Sequence, residues 1–157
     1  MMTLLQEISF FWEFTPEERK LISENDSFFS TFQPGAFLIR QDATDRALFV
    51  LIRGSANVTL NAHPETVLAT LEQGAIIGEM SFLSHQPRAT NVIAKETVTA
   101  FQIDSEAMDQ MDPSLQLKIQ NQLIKILIDR LEETNGNLMR QKEQNMALVE
   151  ALRDKFQ

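Results

Sequence analysis

The sequence predicts an α+β protein that is mainly β: an eight-stranded antiparallel, jelly-roll-like β-roll flanked by N-terminal helices and a long C-terminal helix. Three observations support this fold class. Short apolar runs alternate with turn residues through the middle of the chain, a strong helix start precedes them, and a long stretch with helical periodicity follows them. A chain of 157 residues that is 43% hydrophobic is sufficient for one domain with a sizeable core. We divide it into residues 1–112, the N-terminal helices with the β-roll, and residues 113–157, the C-terminal helix of the same domain.

The first 24 residues predict helices. Thr15 can cap a helix, Pro16 fits its first turn, and Glu18 stands three residues after the cap, as in a capping box. Leu21 and Ile22 are expected to form the buried face of this helix. The preceding segment is crowded with large apolar side chains that we also expect to be buried: Leu4, Leu5, Ile8, Phe11, Trp12 and Phe14.

Short apolar runs from residue 28 to residue 103 predict the strands of the roll. Turn residues separate the runs, among them Pro34-Gly35, Gly54 and Gly74. This spacing is typical of an all-β barrel or roll. The runs cover residues 28–29, 37–39, 48–52, 56–60, 67–71, 92–94 and 98–103.

A long amphipathic helix is predicted after a short helix that Asp104 is expected to cap. It starts at Asp112-Pro113-Ser114. Polar residues interrupt its apolar seam, as in coiled coils where they fix register and partner number, so we interpret it as a homodimerisation helix. Gly136 favours a bend or fraying there. The apolar positions recur at intervals of threes and fours: Leu115, Ile119, Leu123, Ile126, Leu127, Leu131, Leu138, Leu148, Leu152 and Phe156.

Composition excludes several function classes. A net charge of −8 and a pI near 4.7 argue against a nucleic-acid partner, because a DNA-binding surface needs a basic patch. The chain has no cysteine, so disulfides and thiolate metal sites are impossible. Neither a signal peptide nor an apolar run long enough to span a bilayer is present, which predicts a cytoplasmic protein with no membrane partner. Since the sequence has no catalytic triad, metal-ligand cluster or phosphate loop with its lysine, we expect no enzyme, no metal site and no cofactor.

The segment Gly78-Glu79-Met80-Ser81 and the segment Pro87-Arg88-Ala89-Thr90 that follows contain the groups needed to hold a cyclic phosphodiester. Gly78 admits the backbone close to a ligand, and a short helix can begin after it. Arg88 supplies a permanently charged fork of donors for one negative charge. Glu79 would be repelled by a phosphate unless it accepts a hydrogen bond from the same ligand, and a ribose hydroxyl is the obvious donor.

These two segments resemble the phosphate-binding cassette of the cyclic nucleotide-binding domain family, which includes the catabolite activator proteins, the regulatory subunits of cAMP-dependent kinase and nucleotide-gated channels. The resemblance extends to Phe32-Gln33-Pro34-Gly35, to residues 48–54 and to Gly74, and therefore covers most of the chain. It implies that Gly78, Glu79, Met80, Ser81, Arg88, Ala89 and Thr90 form a cyclic nucleotide site.

Besides Phe82, which replaces the usual leucine, the sequence departs from the family pattern at three positions. Asp42 and Asp45 stand where relatives usually have glycine, and Asn91 stands where many have threonine or another small residue. Aspartate tolerates left-handed backbone angles, so we expect the loop to form. Two additional acids near an anion site are expected to weaken binding.

The resemblance also suggests how the base is recognised. In the catabolite activator proteins a Thr-Ser pair on the C-terminal helix contacts adenine, and Thr134 and Asn135 fall in its place. Their alternative role is that of ordinary polar seam or surface residues. Ala89 occupies the position where cGMP-selective relatives tend to have threonine, so cAMP is the expected ligand and cGMP the second possibility.

Two functions remain open after sequence analysis. In the first, the chain is a stand-alone sensor that lacks a DNA-binding domain, binds cyclic nucleotide and signals through its C-terminal helix to an unidentified effector protein. In the second, it is a ligand-free, degenerate β-roll that serves as a coiled-coil dimeric scaffold. The retained Glu79 and Arg88 favour the first function, and the two Asp-for-Gly departures favour the second.

Overall fold

The computed structural model describes residues 1–155 and contains five α-helices and eight strands within that range. The helices are α1 (Met2–Glu7), α2 (Pro16–Glu24), α3 (Glu79–Ser84), α4 (Ser105–Asp109) and α5 (Pro113–Lys155). The strands are β1 (Phe29–Phe32), β2 (Phe37–Ile39), β3 (Leu48–Arg53), β4 (Ala56–Thr59), β5 (Ala69–Leu71), β6 (Ile76–Ile77), β7 (Asn91–Ala94) and β8 (Val98–Ile103). Two compact units emerge from the packing, Met1–Lys118 and the part of α5 from Ile119 onward.

The eight strands form two four-stranded sheets in which every pairing is antiparallel. One sheet has the order β1-β8-β3-β6 and the other the order β2-β7-β4-β5. The predicted fold class is therefore confirmed. The seven predicted apolar runs correspond to seven of the strands. The eighth strand, β6, is only two residues long, and no run predicted it. A two-residue strand is too short for alternation to be visible in the sequence.

The inner faces of the two sheets enclose the hydrophobic core. Its members from both sheets include Leu38, Ile39, Phe49, Leu51, Val92, Val98 and Ala100. A second cluster joins the N-terminal segment to the first sheet, where the ring of Phe101 on β8 lies 5.4 Å from Phe11 in an edge-to-face arrangement. Phe10 and Phe14 complete this aromatic group. Such pairs add about 1 kcal/mol each beyond their burial, so the N-terminal segment is firmly attached to the roll.

The predicted helix start at Thr15 is confirmed in detail. The Thr15 hydroxyl accepts a hydrogen bond from the Glu18 amide, and the Glu18 carboxylate accepts one from the Thr15 amide. Ile22 is buried as expected, but Leu21 is 63% exposed and Trp12 is 66% exposed, so these two predictions were wrong. The indole N–H of Trp12 donates to the Gln6 carbonyl, which holds the ring at the surface rather than in the core.

Glu18 also connects α2 to the start of α5. Its carboxylate accepts hydrogen bonds from the Lys118 ammonium at 2.5 Å and from the Ser114 hydroxyl at 3.3 Å. Burial alone would raise the pKa of the Glu18 carboxyl, but the hydrogen bonds from Lys118 and Thr15 and the charge of Lys118 outweigh burial and lower it. The carboxylate that caps α2 therefore also anchors the first turn of α5.

The predicted starts of α4 and α5 are confirmed by side-chain caps. Asp104 accepts a hydrogen bond from the Ala107 amide at 2.8 Å, and Asp112 accepts one from the Ser114 amide at 2.9 Å. Helix α5 then continues through Gly136 to Lys155, and Phe156 of the predicted seam lies outside the described residues. Between residues 1 and 155, no helix has the length and apolar character needed to cross a bilayer.

The double role of Glu18 predicts a pH-dependent contribution to stability. Glu18→Gln keeps a side chain that can complete the capping box but removes the charge that pairs with Lys118, so we expect a loss of about 1 kcal/mol, or about 3 °C in melting temperature, at pH 7. Because the folded pKa lies below the ordinary value of 4.5, the contribution is full above that value and is lost as the pH falls through the lowered pKa.

Thermal denaturation of both proteins between pH 7 and pH 3 measures this difference. The difference in melting temperature between the wild type and Glu18→Gln should become smaller as the pH falls. Glu17→Gln is the matched control, since Glu17 precedes Glu18 in the same helical turn but is exposed. A gap for Glu18→Gln that stays constant with pH would contradict the assigned role of the carboxylate.

Candidate functional site

Helix α3 lies between β6 and β7 and begins directly after Gly78. Gly78 has a φ of 84° and forms the N-cap, and its carbonyl accepts the first helical hydrogen bond, from the Phe82 amide at 3.0 Å. The helix ends at His85, which has a φ of 60°. The structure therefore confirms a short helix at the expected place, and the left-handed angle explains why glycine precedes it.

The absent side chain of Gly78 also makes room for Arg88. A Cβ at this position would overlap the Nη1 atom of Arg88 and lie 2.8 Å from the Ala47 carbonyl oxygen. Both approaches are shorter than real Cβ contacts allow. Gly78 and Arg88, ten positions apart, thus pack as one unit.

Arg88 is the centre of the site, with only 2% of its surface exposed. Its Nη1 donates to the Gly78 carbonyl at 3.1 Å, and its Nη2 donates to the Ala47 carbonyl at 2.6 Å. Nη2 also forms an ion pair with the Asp45 carboxylate at 2.6 Å. Its Nε is buried and, within the described chain, has no hydrogen-bond partner. A buried guanidinium nitrogen that has no acceptor is costly unless a further acceptor arrives.

The other cassette residues divide into buried and exposed groups. Glu79 is 2% exposed and Ser81 is 5% exposed, so both face the protein interior beside Gly78. Met80 and Ala89 are exposed, and Thr90 is half-buried. The seven predicted cassette residues therefore lie at the N-cap of α3, on α3 and on the segment leading into β7.

Thr134 and Asn135 lie on α5, in the second compact unit, and both are exposed. Each has a side chain with donor and acceptor capacity directed away from its own helix. Their contact with the base of a nucleotide stays a prediction.

The loop from Arg40 to Ala47 is joined to the main chain of Arg88 by backbone hydrogen bonds. The Asp42 amide donates to the Arg88 carbonyl at 2.8 Å, and the Arg88 amide donates to the Ala43 carbonyl at 2.9 Å. Asp42 has a φ of 67°, which confirms that aspartate accepts the left-handed angle at this departure from the family pattern. The loop is therefore fixed on both sides of Asp42.

Asn91, the third departure, holds the same loop from the other side. Its carbonyl oxygen accepts from the Gln41 amide and its amide nitrogen donates to the Asn61 side chain, both at 2.8 Å. The Gln41 side chain in turn accepts from the Asn61 amide at 2.8 Å. Sequence reasoning missed this network and the Asp45–Arg88 pair, because both join segments that lie 20 to 50 residues apart.

No cluster of three or more histidine, aspartate or glutamate residues suited to a metal ion occurs in residues 1–155. The charged groups of the site are those of Arg88, Glu79 and Asp45. This set offers hydrogen-bond donors to an anion and an acceptor to a hydroxyl.

Comparison with known families identifies the family of this chain. The sequence profile described as the cyclic nucleotide-binding domain matches residues 29–112. The chain belongs to the cyclic nucleotide-binding domain family. The match includes all eight strands, α3 and Arg88, so the predicted family is confirmed.

Individual proteins that this chain resembles include a cyclic nucleotide-dependent kinase and two cyclic nucleotide-binding or catabolite activator structures. A cGMP-dependent protein kinase of Toxoplasma gondii is 24% identical over 141 residues, which is 90% of this chain but 14% of the kinase. A cyclic nucleotide-binding domain from Methylobacillus flagellatus superimposes with a TM-score of 0.70 at 22% identity, covering 89% of this chain and 81% of that one. The catabolite activator protein of Thermus thermophilus gives 0.68 at 24% identity, covering 82% and 61%. These structural likenesses show a shared fold, and the chain spans only a small part of the kinase.

The packing of Gly78 against Arg88 predicts the effect of a single methyl group. Gly78→Ala introduces both a strained φ and an overlap with the guanidinium, so we expect a loss of about 3 kcal/mol in unfolding free energy. Urea denaturation monitored by circular dichroism measures it.

Gly35→Ala is the control for backbone strain alone. Gly35 has a φ of 83°, and among the described residues no atom lies within 4 Å of its missing Cβ. We expect this variant to lose about 1 kcal/mol. Equal losses in the two variants would mean that the space beside Arg88 contributes nothing.

Proposed function

We propose that this cyclic nucleotide-binding domain binds one cyclic nucleotide, cAMP in preference to cGMP, and transmits binding through α5 to an effector protein. The observation that carries the proposal is Arg88, a buried cation whose Nε lacks a partner in the described part of the chain. Its Nη1 donates to Gly78, and the next residue in the chain, Glu79, is a buried carboxylate. A cyclic phosphodiester supplies the missing acceptor, and its free ribose hydroxyl can donate to the carboxylate.

Each cassette residue has a role in this proposal. Arg88 pairs with the phosphate, and Glu79 accepts from the 2′-hydroxyl. Gly78 keeps the space that Arg88 needs, while Met80 and Ser81 form the first turn of α3 at the ligand. The segment Ala89-Thr90 continues the binding surface beyond Arg88.

The proposed preference for cAMP rests on Ala89. This residue is exposed and has no hydroxyl with which to contact a guanine. The match to a cGMP-dependent kinase makes cGMP the second candidate. Separate titrations with the two nucleotides decide between them.

We also propose that α5 forms a homodimer. Beyond Lys118 it exposes large apolar side chains at seven-residue spacing, with Ile124 at 55%, Leu131 at 61% and Leu138 at 49% exposure. A second copy of the helix would cover this stripe as in a coiled coil, with Thr134, Gln141 and Asn145 as the polar positions that fix its register. In such a dimer Thr134 and Asn135 are the candidates for contact with the base.

Coupling to an effector requires that the nucleotide favour one state of α5 over another. The energetic effect on the effector can be no larger than the difference between the nucleotide affinities of the two states. The effector would then recognise the helix surface that ligand binding alters.

A ligand-free scaffold is the second candidate function, and one observation favours it. The anion position on Arg88 is already occupied by the Asp45 carboxylate. In a scaffold this ion pair would permanently compensate the charge of Arg88. Only the dimeric helix would then matter for function.

Calorimetric titration of the nucleotide-free protein with cAMP and with cGMP tests the proposal. We expect saturable binding with one site per chain. Arg88→Ala removes the counter-charge for the phosphate and should weaken binding about 100-fold, which corresponds to about 3 kcal/mol.

Arg46→Ala is the matched control for this measurement. Arg46 belongs to the neighbouring loop and is exposed, so its removal should change affinity no more than about 2-fold. Circular dichroism establishes that both variants are folded. Unchanged affinity in folded Arg88→Ala would show that the site is misassigned, and absence of binding to the wild type would favour the scaffold.

The dimer proposal predicts that charge on the apolar stripe separates the subunits. Leu131→Lys combined with Leu138→Lys places ammonium groups where apolar side chains would meet, so sedimentation should give a monomer in place of a dimer. Glu132→Lys with Glu143→Lys introduces the same residues at exposed polar positions and should remain dimeric. A wild-type protein that sediments as a monomer would exclude this interface.

A further inference from the structure

The arginine proposed to bind phosphate already holds a carboxylate from its own chain. Nη2 of Arg88 and Oδ2 of Asp45 are 2.6 Å apart, and the Arg88 side chain is 1% exposed while that of Asp45 is 50% exposed. The two other protein partners of the guanidinium are neutral backbone carbonyls. Asp45 is therefore a carboxylate that pairs directly with a nearly fully buried cation.

The ion pair leaves part of the guanidinium unmatched. Asp45 contacts Nη2, whereas Nε is buried and unpartnered in the described chain. Nε and Nη2 lie on the same edge of the guanidinium plane and can bind the two oxygens of one anion in parallel. An incoming phosphate can engage both donors, so it can match the arginine more completely than Asp45 does.

Asp45 lies in a part of the loop that can move without disturbing the rest. The backbone hydrogen bonds to Arg88 involve Asp42 and Ala43, and the Asn91 network holds Gln41. The three following residues, 44–46, are exposed and lie outside regular secondary structure. The carboxylate can therefore leave Arg88 while the loop stays anchored by residues 41–43.

We propose that Asp45 is a displaceable internal anion that occupies the phosphate position of the empty site, so that ligand binding is an exchange of one anion for another on Arg88. This inference rests on the proposed function for the identity of the ligand. It assigns a role to a residue outside the cassette, 43 positions away from Arg88 in the sequence.

Two consequences follow from an exchange. The empty site keeps its buried cation compensated, which stabilises the ligand-free protein. Apparent affinity is reduced by the fraction of molecules in which Asp45 has left Arg88, so a fraction of about 1 to 10% weakens binding about 10- to 100-fold. A neutral nucleoside cannot exchange for the carboxylate, so the site selects for ligands that carry negative charge.

The alternative role for Asp45 is to position Arg88 for the phosphate and remain bound to it. The two roles predict opposite changes in ligand affinity when the charge of Asp45 is removed. Removing the charge strengthens ligand binding if Asp45 competes with the phosphate, and it weakens binding if Asp45 positions the arginine.

Asp45→Asn is the decisive variant because it removes the charge and keeps an acceptor for Nη2. We expect it to bind cAMP at least about 10-fold more tightly than the wild type in calorimetric titration. The ligand-free variant should also melt at a lower temperature, since Arg88 loses its counter-ion. Equal or weaker binding by Asp45→Asn would overturn the competitor role.

Asp42→Asn is the matched control. Asp42 carries the same charge in the same loop but meets Arg88 through its backbone amide, and asparagine tolerates its left-handed angle. Its affinity and melting temperature should stay close to those of the wild type. A gain in affinity equal to that of Asp45→Asn would instead assign the effect to general loop charge and overturn the exchange.

Inorganic phosphate gives a readout that does not depend on the cyclic nucleotide. Phosphate added to the ligand-free proteins should raise the melting temperature of Asp45→Asn more than that of the wild type or of Asp42→Asn. Equal shifts in all three would contradict the exchange. If neither nucleotide binds to the wild type or to Asp45→Asn, the proposed function fails, while the phosphate comparison still decides the role of Asp45.

Discussion

The burial of one guanidinium determines how this site is built. Arg88 cannot lose its charge, and a cation that is 2% exposed must be surrounded by acceptors. The backbone carbonyls of Gly78, just before α3, and of Ala47, just before β3, supply two of them, and the Asp45 carboxylate supplies a third. The two sheets provide the rigid frame that keeps these distant backbone segments close enough to share a single side chain. The arginine thus depends on the whole roll, and the local loop conformations depend on the arginine.

Local rules explain what the sequence predicted well. The capping box at Thr15, the caps at Asp104 and Asp112 and the cassette helix after Gly78 are each determined by a few neighbouring residues, and all have the expected form. Trp12 and Leu21 were assigned to the core from apolar character alone. Apolar character does not reveal which side of a short segment is buried, and that depends on packing that is not local.

The sequence predicted the residue types of the site but not the contacts between them. A glycine, an acid and an arginine at family spacing are visible in one sequence, whereas the partner of that arginine depends on loop closure across 43 residues. The same holds for Asn91, which replaces the usual small residue and forms side-chain hydrogen bonds to the loop instead. In both cases a departure from the family pattern acquires a physical reason only when the tertiary contacts are known.

The shared space of Gly78 and Arg88 has a consequence for how this domain can change over time. The guanidinium and the Ala47 carbonyl oxygen fill the volume that a side chain at position 78 would need, so position 78 is restricted by two neighbours at once. A chain that replaced Arg88 by a smaller residue would still hold the Ala47 carbonyl oxygen 2.8 Å from a Cβ at position 78, and the left-handed backbone there would still favour glycine. Among related sequences glycine at this position should therefore persist even where the arginine has been lost, so that glycine by itself does not mark a chain that binds an anion.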